Sequence, residues 1–133
     1  MSAVFVDTSA ILALLVADDS SHRAAKRAFD SLSAEQAGLF TTSYVLLETY
    51  ALLGRRHGRV AVRRFRDDFA PLLEVIWVDV ELHEAGLDAF LESAARSISL
   101  VDAVSFAALR ARGAHRVFAF DRHFATAGFE LVK

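Results

Sequence analysis

Short apolar runs alternate along this chain with longer segments whose apolar positions recur every three or four residues, and that alternation sets the expected elements. Val4-Phe5-Val6 is a continuous apolar run that stops at Asp7, and Thr8 to Val16 follows as a mostly apolar helix. Asp18-Asp19-Ser20-Ser21 is a polar break suited to capping the next helix, where Ala24, Ala25, Ala28, Phe29 and Leu32 mark one face to about Gln36. Gly38 to Thr42 reads as a second strand. Ser43 to Leu53 reads as a helix with Val45, Leu46, Thr49, Leu52 and Leu53 inward and Gly54 near its end. Arg59 to Leu73 reads as another, with Val60, Val62, Phe65, Phe69 and Leu72 inward, the arginines outward and Pro71 in its last turn. Glu74 to Val78 is the expected third strand, with Trp77 a structural residue in it. A helix over Val80–Ala94 and another over Ser99–Ala111, ended by Gly113, lead to a fourth strand, Arg116–Phe120, that stops at Asp121. Phe129–Val132 is the fifth.

Short apolar strands alternating with helices imply right-handed crossovers and a parallel sheet covered on both faces, that is, a three-layer α/β/α sandwich with a central parallel sheet. At 133 residues, without repeat or linker, the chain is expected to form a single domain over 1–133. Hydrophobic residues make up 54% and mean hydropathy is +0.33, high enough to suggest a partner surface besides the core. The absence of cysteine removes disulfides, thiolate metal sites and cysteine nucleophiles. No signal-peptide pattern or membrane span is apparent, so a cytoplasmic protein is expected. A net charge of −2 argues against nucleic-acid binding by bulk charge, yet Arg55, Arg56, His57, Arg59, Arg63, Arg64 and Arg66 make one segment locally basic.

Four acids change the picture. Asp7 and Asp121 close the first and fourth expected strands, and ligands of open α/β sheets bind just beyond the carboxyl ends of strands. Glu48 and Asp102 interrupt the apolar helix segments around Leu46-Leu47 and Leu100-Val101. A carboxylate buried in such a run is costly without a partner, and no basic residue lies within four positions of Asp7, Glu48 or Asp102. Each acid alone reads equally well as a helix cap or surface charge. Together they suit a hard divalent cation, because converging carboxylates resist joint ionisation unless a cation sits among them. An oxygen-only set favours Mg²⁺, with Mn²⁺ able to substitute, over Zn²⁺. Phosphodiester cleavage is the chemistry such a site serves best.

Asp7-Thr8-Ser9-Ala10, Ser43 five positions before Glu48, Ser99-Leu100-Val101-Asp102-Ala103 and Phe118-Ala119-Phe120-Asp121-Arg122-His123-Phe124 resemble, in order and spacing, the PIN-domain ribonucleases, especially the VapC-type toxins of bacterial toxin–antitoxin pairs. The resemblance implies a sheet of order 3-2-1-4-5, Mg²⁺-dependent endoribonuclease activity on RNA and inhibition by a cognate VapB-like antitoxin; a homodimer is also expected. Carried over by position, Asp7 and Asp102 are the principal metal ligands and catalytic acids, and Glu48 and Asp121 complete the pocket. Thr8 and Ser9 line it, and Arg122 is expected to touch substrate. His123 is suited to relaying a proton but is not placed among the catalytic residues. Many relatives carry Ser or Thr where this chain has Ala119, which removes one hydroxyl from the pocket. Two other readings stand beside this one: a degenerate PIN-like module that binds RNA or protein without catalysis, and a phosphatase using Asp7 as nucleophile, for which a second Asp is wanted where Ser9 stands.

Overall fold

The structure, a computed structural model, describes residues 3–132. Its first strand, β1 (Ala3–Val6), is central, and it leads through α1 (Thr8–Leu15) and α2 (His22–Ala34) to β2 (Gly38–Thr42). The helix α3 (Ser43–Arg64) follows, then a π-turn at Phe65–Phe69, a 3-10 turn at Ala70–Leu72 and β3 (Leu73–Ile76). The second half runs α4 (Val80–Glu92), α5 (Leu100–Arg112), β4 (Arg116–Phe118), α6 (His123–Thr126) and β5 (Glu130–Leu131). All four strand pairings are parallel and the order is β3-β2-β1-β4-β5, as the resemblance implied. Right-handed crossovers then put α1 to α3 on one face and α4 to α6 on the other.

Alternation along β1 explains how both faces are filled. Phe5 packs edge-on against Phe40 at 5.3 Å and against Phe124 of α6 at 6.1 Å, while Phe106 of α5 meets Phe124 at 5.2 Å. A second aromatic group, Phe29, Tyr50, Phe65 and Phe69, packs within itself at ring distances of 5.1–6.0 Å. Phe5, Phe40, Phe65, Phe118 and Phe124 are all fully buried.

Several boundaries differ from the sequence reading, each for a local reason. Gly54 lies inside α3, and the helix breaks instead at Gly58, whose φ of 84° lies in the left-handed region that glycine tolerates. The helix expected over Arg59–Leu73 stops at Arg64 and unwinds through the two turns, because Pro71 has no N–H to donate. Val60 and Leu72, expected inward, are 67% and 53% exposed. Trp77 falls outside β3 and is 74% exposed, since the next residue leaves the ladder: the Val78 N–H donates to Ser43 Oγ at 2.9 Å. Strand β4 ends at Phe118, and the Phe120 N–H donates to Ser9 Oγ at 2.9 Å instead of to a neighbouring strand. Helix α6 was not foreseen.

Charged pairs concentrate at the amino-terminal edge of the sheet. Arg116, which opens β4, pairs with Glu35 at 2.9 Å and with Glu130 at 3.7 Å, and Arg112 pairs with Glu74 of β3 at 2.7 Å. On the helical layer, α4 and α5 approach closely at Gly86, where an added Cβ would lie 2.9 Å from the Val104 Cα. We expect Gly86→Ala to destabilise the fold by about 1–3 kcal/mol through overpacking, against a helix-propensity gain of about 1 kcal/mol, as measured by urea unfolding. A variant at least as stable as the parent would show that α4 and α5 are not held at this distance.

Candidate metal centre

The carboxyl end of the central strand delivers Asp7 to the start of α1. Its backbone is extended, and its Oδ2 accepts hydrogen bonds from the Ser9 N–H at 3.1 Å and the Ser9 hydroxyl at 2.7 Å. The Asp7 N–H donates to the Phe118 carbonyl at 3.1 Å, which holds it against the end of β4. Ser9 Oγ, donating to Asp7 and accepting from the Phe120 N–H, ties the loop after β4 to the loop after β1. That bridge sets where Asp121 stands.

Asp102 sits in the first turn of α5 in a capping box: its Oδ2 accepts from the Ser99 N–H and the Ser99 hydroxyl accepts from the Asp102 N–H, both at 3.1 Å. Asp121 lies in the turn before α6, and its Oδ1 accepts from the His123 N–H at 2.9 Å. Its own ring places His123 Nδ1 2.7 Å from Asp121 Oδ1 and 3.4 Å from Asp102 Oδ2. Ligand atoms of Asp102, Asp121 and His123 all fall within 4.8 Å of one another. Asp7 and the half-buried Glu48 of α3 flank this group, near enough for the charges of Asp102 and Glu48 to act on Asp7.

The electrostatics of the cluster follow from burial. Asp7 is 4% exposed, and desolvation pushes its carboxyl up to about 6 from an ordinary value of 3.8; the Ser9 hydrogen bonds oppose the rise, and the charges of Asp102 and Glu48 add to it. Among the described residues, no lysine or arginine forms an ion pair with Asp7, Glu48, Asp102 or Asp121. His123 Nδ1 is buried and, despite its short contacts, has no aligned hydrogen-bond partner. Carboxylates without a resident cation beside an unpartnered nitrogen fit a divalent ion.

The structure thus brings Asp7, Glu48, Asp102 and Asp121 to one end of the sheet and adds His123 to them. Sequence reasoning passed over His123 as a ligand, although its place two residues after Asp121 was the available signal. Thr8 is buried, and its hydroxyl meets Thr49 Oγ1 at 3.1 Å and the Val45 carbonyl at 3.4 Å, which joins α1 to α3. Ser9 hydrogen-bonds Asp7 directly. Arg122, next to Asp121, is exposed, and Ala119 is buried.

Comparison with known proteins bears on this arrangement directly. The PIN domain family model matches residues 4–130, and the chain belongs to the PIN-domain family. It is 37% identical over 131 residues, 98% of each chain, to the 23S rRNA-specific endonuclease VapC20 of Mycobacterium tuberculosis. The crystal structure of that protein, described as a sarcin-ricin loop cleaving toxin, matches 96% of each chain with a TM-score of 0.83. FitAcB from Neisseria gonorrhoeae shares the fold at 16% identity, with a TM-score of 0.74 over 98% of this chain and 96% of that one. DNA-bound VapBC from Salmonella typhimurium does so at 14% identity, with a TM-score of 0.72 over 98% and 97%. No helix among the described residues is long and apolar enough to cross a membrane.

Because Asp7 holds its proton more tightly in the folded chain than in the unfolded one, it favours folding below about pH 4, and that contribution fades as pH rises to about 6. The metal-free protein therefore loses on the order of 2–3 kcal/mol at neutral pH from this group. Asp7→Asn, which keeps an oxygen for the Ser9 bonds, should raise the melting temperature in chelator at pH 7 by several degrees, and by little at pH 4. A variant no more stable than the parent at pH 7 would contradict the buried-charge account.

Proposed function

We propose that this chain is a Mg²⁺-dependent endoribonuclease and the toxin of a VapBC-type toxin–antitoxin pair. The observation that carries the reading is the group of acids at the carboxyl end of β1 and β4, without lysine or arginine partners among the described residues, while Arg112 and Arg116 at the opposite edge are paired. The 37% identity across nearly the whole chain to a 23S rRNA-specific endonuclease supports it and makes ribosomal RNA the first substrate to test.

Asp7 and Asp102 are the principal ligands, with Asp121 and Glu48 completing the set directly or through water. A divalent ion held by these residues would supply Lewis-acid chemistry, activating water and offsetting phosphate charge. The chain's own residues supply the rest. Helix-capping bonds from Ser9, Ser99 and the His123 backbone fix one oxygen of each aspartate, so the carboxylates are oriented before substrate arrives. Arg122 on the rim, with the exposed Arg55, Arg56 and Arg59 of α3, provides positive charge for the RNA backbone that the acids would otherwise repel. Single-stranded or looped RNA suits a small enzyme of this kind, because its bases are open to contact.

The antitoxin's place is proposed at a groove of about 340 Å³ between the end of α1 and α3, walled by Leu15, Val16, Leu53, Val60 and Ala61. Its apolar residues, flanked by Asp18, His57 and Arg64, suit an amphipathic helix with a charged border, and Val60 stands well exposed there. A homodimer is proposed as well, for which Trp77 and Val80, 74% and 78% exposed, offer apolar surface.

Asp7→Asn and Asp102→Asn are expected to reduce RNA cleavage to background and to relieve growth inhibition, with folding kept because asparagine retains the capping oxygen. Val60→Asp should keep cleavage yet escape inhibition by the antitoxin. Undiminished Mg²⁺-dependent cleavage by both asparagine variants would reject the assignment and favour a binding module without catalysis.

A further inference from the structure

We propose that His123 is a nitrogen ligand of the cation site, so that the site selects Mn²⁺ over Mg²⁺. The inference rests on the metal-dependent reading above and deepens it, replacing the oxygen-only ligand set with a mixed one.

Spacing is the first argument. Adjacent ligands around an octahedral ion with bonds of about 2.1 Å stand about 3.0 Å apart. His123 Nδ1 lies 2.7 Å from Asp121 Oδ1 and 3.4 Å from Asp102 Oδ2, on either side of that value, and the three ligand atoms fit within 4.8 Å. The two distances from Nδ1 are close to those between neighbouring ligands on one ion.

The second argument is what Nδ1 lacks. It is buried, and neither close carboxylate lies in the direction an N–H would take to donate to it. A neutral ring nitrogen whose lone pair faces carboxylate oxygens is unfavourable unless a positive charge sits between them. A cation bound by all three atoms supplies that charge.

The third is that the backbone carrying the ring is held in place. The His123 backbone N–H donates to Asp121 Oδ1 at 2.9 Å, so the carboxylate that the ring abuts is anchored by the same residue. The next residue, Phe124, is fully buried against Phe5 and Phe106, which fastens α6 to the core. Ligands fixed on the scaffold are ready before the ion arrives. Imidazole prefers transition metals to Mg²⁺, which favours oxygen, and this chemistry gives the direction of the selectivity.

The test is pulsed electron paramagnetic resonance of Mn²⁺ bound to the full chain, which detects ¹⁴N coupled to the metal. Histidine coupling is expected in the parent, and it should change to the ¹⁵N pattern when the histidines are ¹⁵N-labelled. In His123→Ala the coupling should vanish, with Mn²⁺ affinity falling at least about tenfold and Mg²⁺ affinity falling less. Mn²⁺ bound to the parent with no histidine coupling, or coupling that survives in His123→Ala, would overturn the inference while leaving the metal-dependent reading intact. Failure of the parent to bind Mn²⁺ or Mg²⁺ at all would overturn both. The labelled parent suffices for the test if the alanine variant does not fold.

Discussion

Burying a carboxylate without a counter-charge is the constraint on which this structure turns. Asp7 lies at the end of the central strand, almost wholly removed from water, with Asp102, Glu48 and Asp121 gathered near it. Guanidinium groups would relieve the repulsion at little structural cost, and the fold has them, but it places them elsewhere. Arg116 and Arg112 hold Glu35, Glu130 and Glu74 at the opposite edge, where they lower the pKa of Glu35 and Glu74 and clamp strand starts together. The acids at the carboxyl-terminal edge have no such ion pair among the described residues. Such an arrangement costs stability unless something positive binds there, and it is the pattern expected where function has overridden stability.

Three of the proposed ligands also serve as helix caps. Asp7 caps α1, Asp102 belongs to the capping box of α5, and Asp121 accepts from the first residue of α6. For these three aspartates a capping role is compatible with the proposed ligand role, since capping leaves lone pairs for another partner. Helix starts at the carboxyl end of a parallel sheet also bring their positive dipole ends toward the acids, partly offsetting the charge. Ser9 joins the two halves of the chain through a single hydroxyl, bridging Asp7 to the Phe120 backbone. That hydroxyl is a side-chain link between the loops after β1 and β4.

Where the chain writes its structure in local pattern, the sequence was readable. The runs Val4–Val6 and Gly38–Thr42 lie in strands because they are apolar, short and bounded by polar breaks, and the order of the sheet came with the family resemblance. Asp7 and Asp102 were legible because a lone acid in an apolar run has few explanations. Features decided by tertiary contact were not legible. Nothing in the local pattern distinguishes Gly54 from Gly58 as the breaking point of α3, or shows that Thr8 turns toward Thr49 while Ser9 faces Asp7. Trp77 looked like a strand residue because its neighbours are β-branched, but Ser43 captures the next N–H and ends the ladder. His123 was discounted because its nearness to Asp102, 21 positions earlier, exists only once α6 has docked on α5 through Phe106 and Phe124.

The central claim, that these acids meet around one kind of divalent ion, is tested most directly by a crystal of the protein soaked in Mn²⁺ and measured for anomalous scattering. The account predicts a peak among Asp7, Asp102 and Asp121, within bonding distance of at least two of their carboxylates. A crystal saturated with Mn²⁺ but lacking such a peak, with lysine or arginine side chains folded onto the acids instead, would contradict it.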